Sequence, residues 1–378
     1  MPDPRTVRMA RTIVRYSSEV KKGDIVKIAG GSEAAPLLRE IFRECVDVGA
    51  HPYVQVGIPG LDEIFLKTAR KNQLEFIQPV TRFEIGKVDV LINVLSEVNT
   101  KRLSGSDPAR QAMAQQARRP IMNTFMRRAA RHEQGEKDGL RWTLTLWPTQ
   151  AYAQDAEMSL EEYADFVYRA CFAHKKDPIA EWKKLAVFQR KVIRYLKGRK
   201  NVNITGPDTE LELGIAGRPF INCEGKRNFP DGEVFTGPQE RSVNGHISYS
   251  FPAAYGGREV DGVRLRFEKG EVVEFSAEKN EAFLSQMIGM DAGAKRVGEF
   301  AFALNPGIQR FTKNILFDEK IGGTMHLALG ASFPMTGGVN SAPIHWDMIC
   351  DLREDGEVFA DGELIWKAGH FLNDPVSA

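Results

Sequence analysis

DIVKIAGGS, residues 24–32, runs from a β-rich apolar segment directly into two glycines and a serine. The apolar residues that follow recur at helical spacing and are Ala35, Leu38, Ile41, Phe42 and Cys45. Gly49 then ends the pattern. A strand that leads at once into an amphipathic helix predicts a βα unit. Ser32 is expected to cap the helix rather than to hold an anion, because the segment lacks a phosphate-loop lysine and the spaced glycines of a dinucleotide site.

The alternation of strand and helix continues to about residue 150. Residues 52–57, 88–95 and 140–147 are further β-rich runs, and residues 61–71 form an amphipathic segment. Nearly continuous apolar strands such as VDVLINVL are typical of parallel sheets, whose two faces are both buried. Strands separated by helices also require crossover connections. The pattern therefore predicts an α/β domain with an open, parallel-rich sheet.

A helical extension follows this sheet. Ser159 and Glu162 have the spacing of a capping box and predict a helix that runs to about His174. A second helix is predicted to begin at the DP pair of residues 177–178 and to end at Gly198.

Beyond Gly198 the pattern changes to short strands separated by turn signals. Strands are predicted at residues 201–205, 211–215, 246–251 and 263–267. Glycine-rich pairs such as Gly256-Gly257 separate short strands and are typical of antiparallel sheets. We therefore divide the chain into an α/β domain with a helical extension and a β-rich (α+β) C-terminal domain, at residues 1–200 and 201–378.

Charge and composition exclude several classes of protein. Lys and Arg number 51 against 50 Asp and Glu, so no net field attracts nucleic acid or an anionic membrane. Five arginines within residues 118–131 form a basic cluster, but such runs usually coat a solvated helix face. No run of about 18 apolar residues and no apolar signal core occurs. The four cysteines are far apart and fit reduced thiols. We predict a cytoplasmic protein without nucleic-acid or membrane partners.

IHWDM, residues 344–348, has the strongest chemical signal in the chain. Successive strand side chains point to opposite faces, so His345 and Asp347 project together while Trp346 faces the other way. His326 lies in a second apolar run, MHLAL. Imidazole and carboxylate on one strand face indicate a pair of metal ligands.

Three further acids lie in apolar or turn-rich surroundings. Glu233 precedes Val-Phe after a turn, Glu299 precedes Phe-Ala-Phe, and Glu319 lies a few residues before His326. A buried carboxylate without a partner costs several kcal/mol or becomes neutral, and a bound cation removes that cost. Together with the histidines, these acids predict a metal site built from oxygen and nitrogen ligands. Surface acids and core histidines are the alternative interpretation.

At these residues the chain resembles the metallo-aminopeptidase family that includes aminopeptidase T, aminopeptidase S and PepS. The segments that carry the resemblance extend over almost the whole chain. They are residues 16–24, 153–163, 177–182, 228–236, 298–301, 318–330 and 345–347.

The resemblance implies a dinuclear metal site in a homodimeric peptide hydrolase. It implies an N-terminal α/β domain, a β-rich C-terminal domain and removal of N-terminal residues from peptides. The implied metal ligands are Glu233, Glu299, Glu319, His326, His345 and Asp347. Glu299 and Glu319 are also the expected proton carriers. Four carboxylates and two neutral imidazoles carry charge −4, which two divalent ions neutralise. Oxygen and nitrogen ligands leave zinc, cobalt and manganese all open.

One position departs from the family pattern. Many members have a tyrosine, regarded as catalytic, seven residues after the histidine that matches His326, and this chain has Phe333 there. A phenyl ring cannot donate a hydrogen bond, and losing one such donor costs roughly 10²–10³ in rate. Either turnover is slow or another group serves, with Tyr249 and Tyr255 as candidates from the same domain.

Two other functions stay open at the level of sequence. His326, His345 and Asp347 are also the ligand set of a non-haem Fe(II) oxygenase, and the family resembles ring-cleaving dihydroxypyridine dioxygenases. The three glutamates argue against that function, because they would crowd a single iron. A catalytically weakened or inactive homologue that keeps its metals for stability is the other alternative.

Overall fold

The computed structural model describes residues 2–372. Backbone contacts divide them into two compact units. The N-terminal unit runs to Ile179 and includes Gly225–Phe229, and the C-terminal unit contains Ala180–Glu224 and the chain from Pro230 onward. The predicted boundary near residue 200 lies after the long helix Pro178–Leu196, whereas the division by contacts falls at the start of that helix.

Helices are concentrated in the first half of the chain. They are α1 (Pro4–Thr12), α2 (Ala35–Val48), α3 (Leu61–Thr68), α4 (Lys71–Leu74), α5 (Pro79–Ile85), α6 (Pro108–Ala117), α7 (Arg119–Glu133), α8 (Gln150–Asp155), α9 (Leu160–Ala170), α10 (Pro178–Leu196), α11 (Glu281–Ile288) and α12 (Ile315–Asp318). A π-helical turn at Ile13–Ser17 and 3₁₀ turns at Ser32–Ala34 and Pro334–Thr336 complete the helical segments of the described chain.

Strands are short, and most of them lie in the second half of the chain. They are β1 (Ile25–Gly31), β2 (His51–Gly57), β3 (Val90–Leu95), β4 (Arg141–Leu146), β5 (Asn201–Gly206), β6 (Thr209–Gly214), β7 (Ile221–Cys223), β8 (Asn228–Phe229), β9 (Glu233–Thr236), β10 (Asn244–Ser248), β11 (Ala253–Tyr255), β12 (Arg258–Val260), β13 (Arg264–Glu268), β14 (Glu271–Ser276), β15 (Val297–Ala303), β16 (Thr324–Gly330), β17 (His345–Asp351), β18 (Glu357–Ala360), β19 (Glu363–Lys367) and β20 (His370–Phe371).

One parallel sheet organises the N-terminal unit, in the strand order β2-β1-β3-β4-β8. Val26 and Ile28 of β1 are completely buried, as expected for a strand between two parallel neighbours. The open, parallel-rich sheet predicted from sequence is confirmed. Strand β8 was not predicted, because a two-residue strand has no periodicity to detect.

Three predictions about helix ends can be compared with the structure of this unit, and one is confirmed while two are wrong. Ser159 and Glu162 form the predicted capping box, with hydrogen bonds of 3.2 and 2.9 Å. Helix α9 ends at Ala170 rather than near His174, because Phe172 adopts a left-handed conformation with φ 55°. The capping role predicted for Ser32 is wrong. It begins a 3₁₀ turn, and α2 starts without a side-chain cap.

The basic cluster on α7 is not a uniform solvated face. Arg128 is buried and donates hydrogen bonds to the backbone carbonyls of Asp138, Ile85 and Val88. Its guanidinium therefore serves the local structure, while the other four arginines of the cluster are exposed. Within residues 2–372, no helix combines the length and apolar character needed to cross a bilayer.

Two antiparallel sheets form the main part of the C-terminal unit. One has eight strands in the order β14-β13-β10-β6-β5-β18-β19-β20, and the other has five in the order β17-β16-β15-β9-β7. Phe302 of the five-stranded sheet packs against Trp366 and Phe371 of the eight-stranded sheet, with ring centroids 5.2 and 5.1 Å apart. The predicted β-rich, mostly antiparallel second half is confirmed, and it positions the candidate site on the five-stranded sheet.

Candidate metal centre

Strands β15, β16 and β17 bring four of the predicted ligands to one face of the five-stranded sheet. Ala328 on β16 pairs with Glu299 on β15 and with Asp347 on β17, so the two acids lie in one row. His326 is two residues before Ala328, and His345 is two residues before Asp347. Residues two apart in a strand share a face, so all four side chains project together.

Glu233 on β9 joins the same face. It pairs with Ala303, which lies four residues after Glu299 on β15. Four small residues, Ala301, Ala303, Ala328 and Gly330, lie on this face beside the acids and imidazoles, and the larger Phe235 and Ile349 lie on it as well. Gly330 has φ 102°, and a Cβ atom there would lie 2.1 Å from the carbonyl oxygen of Ile344. The small residues add little side-chain volume between the acids and the imidazoles.

Glu319 reaches the site from a different kind of element. It follows the short helix α12 and precedes β16. Its carboxylate interacts electrostatically with Asp347 and His326. The close groups of possible ligand atoms contain the other five predicted residues and not Glu319. The structure therefore places Glu319 beside the cluster, and places the other five within it.

Glu299 lies between two overlapping triads of possible ligands. Its Oε1 is 3.3 Å from Nε2 of His326, and its Oε2 is 3.5 Å from Nε2 of His345. Glu233 completes the first triad and Asp347 completes the second. Ligand atoms within each triad lie within 4.8 Å of one another. One carboxylate thus faces both triads with separate oxygens, as a ligand shared between two ions would.

His345 is held in a defined orientation. Its Nδ1 is 2.8 Å from the carbonyl oxygen of Ala331, to which it donates a hydrogen bond. That bond leaves Nε2 directed at Glu299 and at Asp347, whose Oδ1 is 3.4 Å away. A histidine with one ring nitrogen bonded to a carbonyl presents the other nitrogen as a ligand.

The acids of the cluster are removed from water. Glu233 and Glu299 are only 6% and 4% exposed. Burial raises the pKa of both carboxyl groups, with Lys320 opposing the shift at Glu233 and His326 opposing it at Glu299. Burial likewise raises the pKa of Glu319. The sequence interpretation of these glutamates as acids in apolar surroundings agrees with the structure.

The pKa values of the two imidazoles are also raised, but by the neighbouring carboxylates and against the effect of burial. Burial alone would lower the pKa of His326, but Glu299 and Glu233 outweigh it and raise the pKa to about 9. Burial opposes protonation of His345 as well, and Asp347 and Glu299 raise its pKa to about 10. Burial would raise the pKa of Asp347, yet the two histidines lower it to about 2. In the absence of another cation, protons on the imidazoles balance the acids.

The donor set fits divalent cations. Glu233 Oε2 is buried and has no hydrogen-bond partner among the described residues, although Nε2 of His326 is 3.6 Å away. A buried polar atom without a partner needs an explanation, and a bound ion supplies one. Carboxylate oxygens and imidazole nitrogens match the ligand preferences of zinc, cobalt and manganese.

Three residues near the site were not identified from the sequence. Lys320 is 0% exposed, and its ammonium contacts Glu319 Oε1 and lies 3.9 Å from Glu233 Oε1. Cys223 and Asp231 form a third close group with Glu233. Lys320 and Asp231 lie inside the segments that carry the family resemblance, but a lysine beside a glutamate is normally solvated, so local sequence gave no reason to single it out.

The two candidate tyrosines lie away from the cluster, and the expectation that either replaces the family tyrosine is wrong. Tyr255 packs on Trp346 at 5.7 Å, on the face of β17 opposite His345 and Asp347. Tyr249 is buried, and Cys350, also on that opposite face, interacts with it.

Phe333 is beside the cluster, as its family position implies. Its ring is 39% exposed and lies edge-on to the imidazole of His345, with centroids 5.0 Å apart. The ring of Phe235 packs against the ring of Phe333, with centroids 5.5 Å apart. The aromatic ring is therefore present at the site, without a hydroxyl group.

One protein family matches almost the whole chain, including this cluster of acids and imidazoles. The model of the thermophilic metalloprotease (M29) family matches residues 3–371. The chain belongs to this family. Membership confirms the resemblance inferred from the sequence, and all six predicted ligands lie within the matched part of this M29 chain.

Individual relatives agree with the family. The M29 chain is 26% identical to Aminopeptidase 2 of Geobacillus stearothermophilus over 96% of its own length and 97% of the relative. It shares the fold of AmpT from Thermus thermophilus, with a TM-score of 0.82, 24% identity, and coverage of 97% and 99% of the two chains. The family and the relatives' names together support a metallo-aminopeptidase.

A second solved structure has the same general fold. The 2,5-dihydroxypyridine dioxygenase from Pseudomonas putida KT2440 matches with a TM-score of 0.60 and 12% identity, over 97% of each chain. At this identity the likeness concerns the fold alone, and the comparisons do not favour the dioxygenase alternative.

Proposed function

We propose that this M29 chain is a metal-dependent aminopeptidase that removes N-terminal residues from peptides with the help of two divalent metal ions. The ions would be held by Glu233, Glu299, Glu319, His326, His345 and Asp347. The observation that carries the proposal is the position of Glu299 in two triads of possible ligands, each with its own histidine.

Bound divalent ions would lower the pKa of a water molecule and polarise the scissile carbonyl. The residues of the chain supply orientation and water exclusion. His345 is fixed by Ala331, and Glu233, Glu299 and His326 are buried. A rigid, dry arrangement of this kind holds reacting groups in place without reorganisation during the reaction.

Glu299 and Glu319 are the proposed proton carriers. A general acid that delivers a proton to the leaving amine needs a pKa near the working pH. In the metal-free protein, burial raises the pKa of both carboxyl groups above their ordinary values. Glu319 has one oxygen on Lys320, whereas both oxygens of Glu299 face histidines. A Glu319→Gln variant that keeps its metals but loses turnover would identify Glu319 as the carrier.

We also propose that the protein is a homodimer that acts in the cytoplasm. Helix α2 and edge strand β2 expose apolar side chains around a cavity of about 570 Å³, and they are Phe42, Val46, Val54 and Val56. Exposed apolar patches of this kind mark interfaces between protein chains. Light scattering that gives the mass of one chain would contradict the dimer.

The activity test uses purified protein dialysed against zinc, cobalt or manganese and aminoacyl anilides as substrates. We expect metal-dependent release of aniline from substrates with a free α-amine and none from N-acetylated ones. Chelation should abolish the release. No release from any free-amine substrate by protein that holds about two ions per chain would contradict the proposal. Oxygen uptake on a dihydroxypyridine with one bound iron would point instead to a dioxygenase.

A further inference from the structure

Lys320 is the most deeply buried charged side chain beside the candidate metal centre. Its side chain has 0% exposure. A buried ammonium costs several kcal/mol unless it is paired with acceptors. The acids around it are Asp231, Glu233 and Glu319. A lysine in such a position needs a role that a solvated lysine does not have.

Glu233 divides its two oxygens between Lys320 and the metal centre. Oε1 is 3.9 Å from the Lys320 ammonium, and Oε2 is 3.6 Å from Nε2 of His326. The outer oxygen is therefore next to a fixed positive charge, while the inner oxygen is directed into the first triad. The two oxygens of Glu233 therefore face different partners.

Glu319 is held by the same ammonium. Its Oε1 contacts Nζ of Lys320, which is the next residue in the chain. Glu233 comes from strand β9, and Glu319 from the segment after α12. Lys320 thus connects two proposed ligands that come from distant parts of the sequence.

We infer that Lys320 is a positioning residue, which fixes the outer oxygens of Glu233 and Glu319 so that these acids present their inner oxygens to the metal ions. The inference rests on the proposed function, because it concerns the same metal centre. Removal of a residue that orients a metal ligand typically weakens metal binding by about 10–100-fold.

The test measures zinc affinity by competition with a chelating dye, and the visible absorption of the cobalt-loaded protein. Lys320→Met removes the charge and keeps a similar length, whereas Lys320→Arg keeps the charge. Lys27→Met is the matched control, because Lys27 is a partly buried lysine paired with Glu84 in the other unit. Melting temperature in a chelator reports the stability of the metal-free protein, including the loss of the buried ion pairs.

We expect Lys320→Met to bind zinc about 10–100-fold more weakly and to change the cobalt spectrum. Lys320→Arg should recover most of the affinity, and Lys27→Met should match the wild type. Unchanged zinc affinity in Lys320→Met would overturn the inference, even if its melting temperature fell. If Lys320→Met does not fold, Lys320→Gln replaces it, and unchanged zinc affinity in that folded variant would overturn the inference. Failure of the wild type to bind zinc, cobalt or manganese would instead contradict the proposed function.

Discussion

Substitution of Glu299 should weaken both metal positions, whereas substitution of Asp347 should weaken one. Each oxygen of Glu299 faces a different histidine, at 3.3 and 3.5 Å, and Asp347 belongs to one triad only. Binding of about 10–16 kcal/mol shared by the three ligands of a triad gives roughly 3–5 kcal/mol per ligand, or at least about a hundredfold in affinity. Glu299→Gln should therefore lose about a hundredfold at each position, and Asp347→Asn about a hundredfold at one.

The assay combines the metal content after dialysis with titration of zinc or cobalt against a chelating dye. At a free metal concentration that just saturates the wild type, Asp347→Asn should keep about one ion per chain and Glu299→Gln close to none. Glu40→Gln is the matched control, because Glu40 is a buried acid on α2 paired with Arg43. Equal losses in the two site variants, or wild-type binding by Glu299→Gln, would refute the shared-ligand interpretation.

Two further predictions concern the ring beside the site and the protons within it. Phe333→Tyr should raise kcat for aminoacyl anilides, by up to about 10²-fold, because it adds a donor next to His345. A kcat equal to that of the wild type would show that this position does not limit turnover. In metal-free protein the pKa values of His326 and His345 rise to about 9 and 10, above the unfolded value near 6.5. The contribution of these two histidines to the free energy of unfolding should be complete below about pH 6.5 and lost as the pH rises through 9–10. Zinc affinity should increase over the same pH interval, because the imidazoles release their protons. Denaturant titrations in a chelator and calorimetric proton counts test this, and a flat pH profile with no proton release would disprove it.

Local sequence was sufficient where neighbouring residues decide the structure. The capping box at Ser159 and Glu162 forms as predicted, because its two hydrogen bonds join residues three apart. The two-residue period of a strand likewise places His345 and Asp347 on one face. The helix end at Ala170 was less predictable, because the positive φ of Phe172 has no strong signal in a residue that rarely adopts it.

The amino-acid sequence by itself determined the fold class, the family and the identity of the candidate ligands, because periodicity and long motifs are properties of contiguous residues. Only the tertiary structure decided which of these residues meet. Register between β9, β15, β16 and β17 aligns Glu233, Glu299 and His326 on one face, and backbone hydrogen bonds between distant strands set that register. The same packing buries Lys320 against two acids and turns Tyr255 to the far face. Burial and distance depend on residues that are remote in the chain. The pairing of these remote strands places Glu299 between two histidines.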